Sequence, residues 1–152
     1  MGALSGIDLN GLIEAHDVRY LVEFGTGEGE DAAYAAGFSF DHIYSLEGSH
    51  RMAIQAAFRH SSNQKMTFIH GKGERGWRQV YPEIPAEMPV LFLLDGEQAG
   101  ADLAAIAKYR DTRRDLFLVE GGDLSELHPL FGAGHRLSMP AAGLFCAIPA
   151  AA

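Results

Sequence analysis

Three glycines at alternate positions, Gly25, Gly27 and Gly29, follow an apolar run that ends in Glu23 and Phe24. Glycine adopts backbone conformations with positive φ and lets the chain pass close to a ligand. An apolar strand that leads into such a turn is how α/β folds begin a nucleotide pocket. The segment therefore predicts a nucleotide-binding loop, and a plain turn between a strand and a helix is the alternative.

The spacing of these glycines distinguishes between nucleotides. A nicotinamide dinucleotide site needs the pattern G-x-G-x-x-G, but the sixth position here is Glu30. The loop also carries Glu28 and Asp31, whose charges would repel a pyrophosphate at the helix N-terminus. The same charges favour a cationic ligand, so the loop argues against NAD.

A second acid, Glu47, follows the next predicted strand at 42–46. An acid before G-x-G-x-G at the end of the first strand, with another at the end of the second, resembles class I S-adenosylmethionine-dependent methyltransferases. In that family the first acid lies near the methionine part of the cofactor, and the second holds the ribose hydroxyls. A carboxylate suits that second role because it accepts two strong hydrogen bonds from a vicinal diol. The resemblance assigns these residues to the cofactor S-adenosylmethionine: Glu23, Gly25, Thr26, Gly27, Gly29, Glu47, Gly48, Lys72 and Asp95.

Two further acids, Asp95 and Glu120, follow the apolar runs 90–94 and 116–119. The first run resembles the fourth-strand motif of a bacterial subgroup of small methyltransferases. Because the carboxyl ends of parallel strands meet at one crevice, we expect both acids near the methyl group or the acceptor, as the catalytic residues. Either is a candidate general base toward a hydroxyl, or a partner of Glu97 in holding a divalent cation, although no metal site is predicted. A simple helix cap is the alternative role for Asp95.

Two positions differ from the family pattern. Gly71-Lys72 stands where many relatives have Gly-Asp, whose aspartate binds the adenine amino group. Lysine cannot accept that hydrogen bond, so we expect a backbone carbonyl or a side chain such as Glu74 to replace it. Glu120-Gly121 stands where the subgroup often has two acids. Both differences keep open a divergent protein that binds without transferring a methyl group.

The elements that position these residues follow from hydrophobic patterns. Strand-like runs alternate with helical patterns, which is typical of a parallel sheet covered on both faces. The predicted strands are 19–24, 42–46, 66–70, 90–94 and 116–119, and the predicted helices are 9–16, 28–36, 50–60, 74–81 and 101–109. Segments 136–137 and 144–148 predict a C-terminal antiparallel hairpin. The predicted fold is therefore α/β, with a doubly wound, mostly parallel sheet of the Rossmann-like methyltransferase type.

Composition limits the function further. The 152 residues fit one domain, and 12 Lys plus Arg against 20 Asp plus Glu give a net charge of −8. Nucleic-acid binding needs a basic face, so the acidic balance favours a small, uncharged or cationic substrate. Arg110, Arg113 and Arg114 are expected to form a solvated cluster. One cysteine, no signal peptide and no membrane span predict a cytoplasmic location.

The sequence thus predicts a methyltransferase that acts on an oxygen or nitrogen of a small molecule. A methyltransferase-like binding or accessory protein is the first alternative, and the G-x-G-x-G spacing disfavours a different Rossmann-like nucleotide enzyme. Because no long insertion is available as a lid, acceptor recognition is expected to depend on short loops or on a partner in a homodimer.

Overall fold

The computed structural model describes residues 3–27 and 29–150, which build a seven-stranded sheet. The strands are β1 (Tyr20–Phe24), β2 (His42–Glu47), β3 (Met66–His70), β4 (Val90–Asp95), β5 (Leu116–Glu120), β6 (His135–Ala141) and β7 (Leu144–Pro149). Their spatial order is β3-β2-β1-β4-β5-β7-β6. The first five strands are parallel, whereas β7 is antiparallel to both β5 and β6. The order reverses between β1 and β4, and the crevice at such a point is where open α/β sheets bind ligands.

Helices cover both faces of this sheet. They are α1 (Leu9–His16), α2 (Glu30–Ala35), α3 (His50–Arg59), α4 (Glu74–Val80), α5 (Ala99–Tyr109) and α6 (Leu124–Phe131). Side chains alternate along β1, so Val22 packs with α4, α5 and α6, while Leu21 packs with α1 and α2 on the opposite face. Within residues 3–27 and 29–150, no helix has the length and apolar character needed to cross a lipid bilayer.

The structure confirms the predicted doubly wound sheet and its C-terminal hairpin. The ends of the predicted strands and helices move by a residue or two, except that β6 is much longer than the predicted 136–137. Helix α6 was not predicted, because its internal Pro129 lacks the N–H that a helix interior uses. Asp123 begins this helix by accepting a hydrogen bond from the backbone N of Ser125 at 2.9 Å. The predicted first residue of α2, Glu28, lies outside the described residues.

A buried ion pair joins the amino ends of β4 and β5. Asp115 is 0% exposed and accepts hydrogen bonds from Val90 N at 2.9 Å and from Arg110 Nε at 2.8 Å. The Arg110 side chain is only 5% exposed, and it also donates to the carbonyl oxygen of Met88. The expectation of a solvated cluster is therefore wrong for Arg110, although it holds for Arg113, whose side chain is 86% exposed. Arg110 and Arg113 are close in the sequence and were therefore expected to behave alike. Tertiary packing buries Arg110 and leaves Arg113 exposed.

Candidate functional site

A cleft of about 320 Å³ opens at the carboxyl ends of the central strands. Its walls come from the segments that follow β1, β2, β3 and β4 and from the first turns of α5. The lining residues are Phe24, Gly25, Leu46, Glu47, Gly48, Lys72, Gly73, Asp95, Glu97, Gln98 and Asp102. The structure therefore brings together five of the residues that the sequence assigns to the cofactor: Gly25, Glu47, Gly48, Lys72 and Asp95.

The glycine loop after β1 has the backbone conformation that its sequence predicts. Gly25, Gly27 and Gly29 have φ values of 107°, 54° and 85°, in the region that side chains disfavour. A Cβ added to Gly29 would also lie 2.9 Å from Nε2 of His60. Gly25 lines the cleft, whereas Gly27 and Gly29 are not among its lining residues. These two glycines therefore shape the loop, and Gly25 carries it past the cleft.

Glu47 lies at the edge of the cleft, where β2 ends. Its Oε2 accepts a hydrogen bond from the backbone N of Ser49 at 2.7 Å, which fixes the orientation of the carboxylate. Ser49 in turn begins α3, because its hydroxyl accepts from the backbone N of Met52. Oε1 of Glu47 has no hydrogen-bond partner within the described part of the chain. This half-buried carboxylate is consequently oriented by the protein and retains capacity to bind a ligand.

Glu23 lies beneath the glycine loop rather than in the cleft. It is 3% exposed, and its Oε1 accepts a hydrogen bond from the Ser45 hydroxyl at 2.6 Å. The Ser45 hydroxyl also shares a hydrogen bond of 2.7 Å with the hydroxyl of Thr26, which is 4% exposed. This buried chain joins the loop to β2. The structure therefore places Glu23 and Thr26 where they support the loop, and their assignment to the cofactor stays a prediction.

The surroundings of Glu23 favour its neutral form. Burial raises the pKa of this carboxyl to about 8, against the opposing effect of the Ser45 hydrogen bond, and the nearby acids Asp31, Glu120 and Glu47 raise the pKa further. A group with this pKa is mostly protonated at neutral pH. Glu23 thus adds little negative charge to the loop that it supports.

We expect the Glu23→Gln variant to lose less stability than the wild type as the pH rises. The Glu23 pKa is about 8 in the folded chain and near 4.5 in an unfolded one, so the folded state binds the proton more strongly. The contribution of Glu23 is therefore fully present below the unfolded pKa and is lost as the pH rises through the folded pKa. Glutamine keeps an acceptor for Ser45 and does not titrate.

Urea unfolding of both proteins at about pH 5 and about pH 8 measures this difference. The other titrating groups are common to the two chains, so the change in their stability difference reports Glu23 alone. Equal losses of unfolding free energy in the wild type and the variant would contradict a raised pKa at this position.

Asp95 and Glu120 occupy neighbouring positions at the ends of β4 and β5, where they are register partners. Asp95 lines the cleft, and its Oδ1 accepts from the backbone N of Glu97 at 2.9 Å. This bond supports the turn into α5. Asp95 therefore has the capping role and also lines the cleft. Glu120 is exposed beside it but is not a lining residue. Among the described residues, no group of three acids, histidines or cysteines is suited to hold a metal ion.

Solved structures share this architecture at low sequence identity. The chain matches a Staphylococcus aureus protein, provisionally assigned as a caffeoyl-CoA O-methyltransferase, with a TM-score of 0.75 and 14% identity, over 99% of this chain and 85% of that one. It also matches an O-methyltransferase from Bacillus cereus in complex with S-adenosylhomocysteine, with a TM-score of 0.67 and 15% identity, over 97% and 82% of the two chains. The chain has the class I methyltransferase fold.

This methyltransferase fold also occurs in an rRNA methylase from Streptococcus thermophilus, which matches with a TM-score of 0.59 and 14% identity, over 95% of this chain and 99% of that one. No family model matches the sequence, and no curated protein matches it either. The likeness to methyltransferases is therefore a likeness of fold, and the assignment of an activity depends on the residues of the cleft.

One acid in the cleft of this methyltransferase fold was missed by the sequence analysis. Asp102, on α5, is 7% exposed and lies near Lys72. Burial raises its pKa to about 6, and the charge of Asp95 adds to this effect while Lys72 opposes it. The available signal was a single acid in an otherwise apolar helical segment, AGADLAAIA. That pattern alone does not show that the acid faces a cleft.

Glu74, which we expected to replace the missing adenine acceptor, binds two groups through one of its oxygens. Its Oε1 accepts hydrogen bonds from Lys108 Nζ at 2.8 Å and from the hydroxyl of Tyr109 at 2.7 Å. These bonds join α4 to the end of α5 and lower the pKa of Glu74. Glu74 does not line the cleft itself, but it lines the neighbouring pocket together with Lys72, Gly73 and Asp102, so its role near the base stays a prediction.

Proposed function

We propose that this protein is an S-adenosylmethionine-dependent methyltransferase that acts on an oxygen or nitrogen of a small molecule. The observation that carries the proposal is a combination of three features at one cleft, where the strand order reverses. These are a glycine loop with positive φ, a carboxylate at the end of β2 and an acid at the end of β4. The ligand in the Bacillus cereus neighbour supports the choice of cofactor.

The residues of the cleft fit this cofactor. Glu47 has an oxygen free to accept from a ribose hydroxyl, and charged acceptors form stronger hydrogen bonds than neutral ones. Phe24 and Leu46 offer apolar surface, and the volume of about 320 Å³ is within the range of small-molecule sites. When bound, the cofactor supplies a methyl group on a cationic sulfur that is a good leaving group. Negative charge around the cleft suits that cation.

The contribution of the protein is mainly to position the reactants. Placing two groups in reacting geometry lowers a barrier by about 7–11 kcal/mol in favourable cases. Asp95 is the proposed general base, because it is exposed at the cleft and its Oδ2 has no hydrogen-bond partner in residues 3–27 and 29–150. Glu120, its register partner, is proposed to assist by adding negative charge beside the acceptor.

We further propose a small neutral or cationic acceptor. Asp95, Glu97 and Glu120 are exposed acids at this edge of the sheet, and the chain carries a net charge of −8. An RNA acceptor would meet these charges with its own phosphates, which is unfavourable. Because one structural neighbour is an rRNA methylase, RNA is retained as an outcome of the test.

Calorimetric titration with S-adenosylmethionine, S-adenosylhomocysteine and NAD tests the cofactor. We expect the first two to bind and NAD not to bind, and failure of the first two to bind would overturn the proposal. Methyl transfer from labelled cofactor to phenols, amines and an rRNA transcript then tests the acceptor. Product from RNA alone would overturn the small-molecule assignment, and binding without any product would favour the accessory-protein alternative.

A further inference from the structure

Asp102 is a buried carboxylate that has no partner of its own. The residue is only 7% exposed, and its side chain lines the main cleft. None of the hydrogen bonds or ion pairs between described residues involves this carboxylate. The carboxylate is accessible from the cleft rather than bonded to a protein donor, so a ligand in the cleft can supply the hydrogen bond that the described residues do not.

We use the name slot for the end of the cleft that is lined by Asp102, Gly73 and Lys72. A Cβ added to Gly73 would lie 3.5 Å from Oδ1 of Asp102, so the Gly73 backbone passes close to the carboxylate. A Cβ added to Gly48 would lie 3.2 Å from Cβ of Lys72, which places the start of the lysine side chain against the segment after Glu47. This end of the cleft therefore lies beyond Glu47, the residue that is proposed to bind the ribose. The base of a nucleoside would extend into it.

The other polar groups near this slot either cannot accept a hydrogen bond or are exposed to solvent. Lys72 is a donor only. The side chain of Glu74 is 42% exposed, and its Oε1 already accepts bonds from Lys108 and Tyr109. Three other polar lining residues are exposed, namely Asp95, Glu97 and Gln98. Although burial raises the pKa of Asp102 to about 6, the carboxylate is still mostly ionised at neutral pH and able to accept. Asp102 is thus the buried acid among the groups that can accept from a planar base in this slot.

We propose that Asp102 selects an aminopurine by accepting a hydrogen bond from its exocyclic amino group. This inference rests on the proposed function and assigns the recognition of the base to α5 rather than to the loop after β3. A base that carries an oxo group in place of the amino group would put an oxygen against the carboxylate. Sites built to bind an N–H reject analogues that lack it, because their buried acceptor is then left unpaired.

The test compares S-adenosylhomocysteine with S-inosylhomocysteine, which replaces the amino group with an oxo group, by calorimetric titration. We expect the wild type to prefer the adenine ligand by about ten- to a hundred-fold, which is the effect of one hydrogen bond to a charged group. Asp102→Asn should lose or invert this preference, because the asparagine amide also donates to an oxo group. Asp111→Asn makes the same change of charge at an exposed position and should keep the preference.

The outcomes separate this inference from the proposed function. If the wild type binds neither ligand, both fail; if it binds both equally, only the inference fails. Retention of the adenine preference in Asp102→Asn would also overturn it. Lys72→Gln excludes an indirect effect: if this variant abolished the preference as completely as Asp102→Asn, Asp102 would act only through Lys72, and direct recognition would be wrong. Thermal unfolding of each variant verifies that it is folded.

Discussion

Replacement of Glu47 by alanine should weaken the binding of S-adenosylhomocysteine by about 100-fold or more. The structure fixes the Glu47 carboxylate through Ser49 N and leaves Oε1 free at the cleft. Each hydrogen bond from a hydroxyl to a charged acceptor contributes about 1.5–3 kcal/mol, and a vicinal diol offers two of them. The loss should be larger than for any other single side chain in the cleft.

Two further variants define the cause of this effect. Glu47→Gln keeps one acceptor oxygen without the charge, so we expect an intermediate loss of affinity. Glu14→Ala removes an exposed acid from α1 and provides a control for the change in net charge. Glu47 also accepts a hydrogen bond from the backbone N of Ser49, so Glu47→Ala can change stability as well as affinity. Unfolding of this variant is therefore measured in parallel. An affinity within about threefold of the wild type, in a folded variant, would contradict the ribose assignment.

The sequence predicted those parts of the cleft that depend on the ends of strands. Gly25, Glu47 and Asp95 each stand at or directly after the end of an apolar run, and the parallel sheet brings such positions to one edge. Local pattern was therefore sufficient for them. The same reasoning located Lys72 after β3, where it lines the cleft.

The remaining features depend on side-chain direction and on packing between elements. Successive residues of a strand face opposite sides, so Phe24 reaches the cleft while Glu23 lies buried beneath the loop. Asp102 enters the cleft because α5 packs over β4, which no pattern within the helix reveals. The burial of Arg110 also depends on tertiary packing, because its side chain pairs with the buried Asp115 instead of lying in solvent like that of Arg113. Each of these outcomes is decided by tertiary contacts that span the chain.

The largest effect on stability is expected from Asp115→Ala, at the opposite end of the sheet from the cleft. Asp115 binds Val90 N and two nitrogens of Arg110, at 2.9, 2.8 and 3.0 Å. Its removal leaves a guanidinium that is 5% exposed without its counter-charge. Loss of one member of a buried ion pair destabilises a protein by about 3–5 kcal/mol. Urea unfolding measures this change as a lower midpoint.

Comparison with an exposed acid tests whether the unpaired buried charge causes the loss of stability. Asp111→Ala removes an exposed carboxylate that pairs with Arg113 at 2.6 Å, and exposed pairs contribute little, so its midpoint should stay close to that of the wild type. Replacing the buried pair together, as Arg110→Met with Asp115→Leu, should recover much of the loss, because no charge then remains unpaired. If the double variant were as unstable as Asp115→Ala, packing or the hydrogen bond from Val90 N, rather than the unpaired charge, would determine stability here. Cofactor affinity of the folded double variant should be unchanged, since the cleft lies at the carboxyl ends of the same strands.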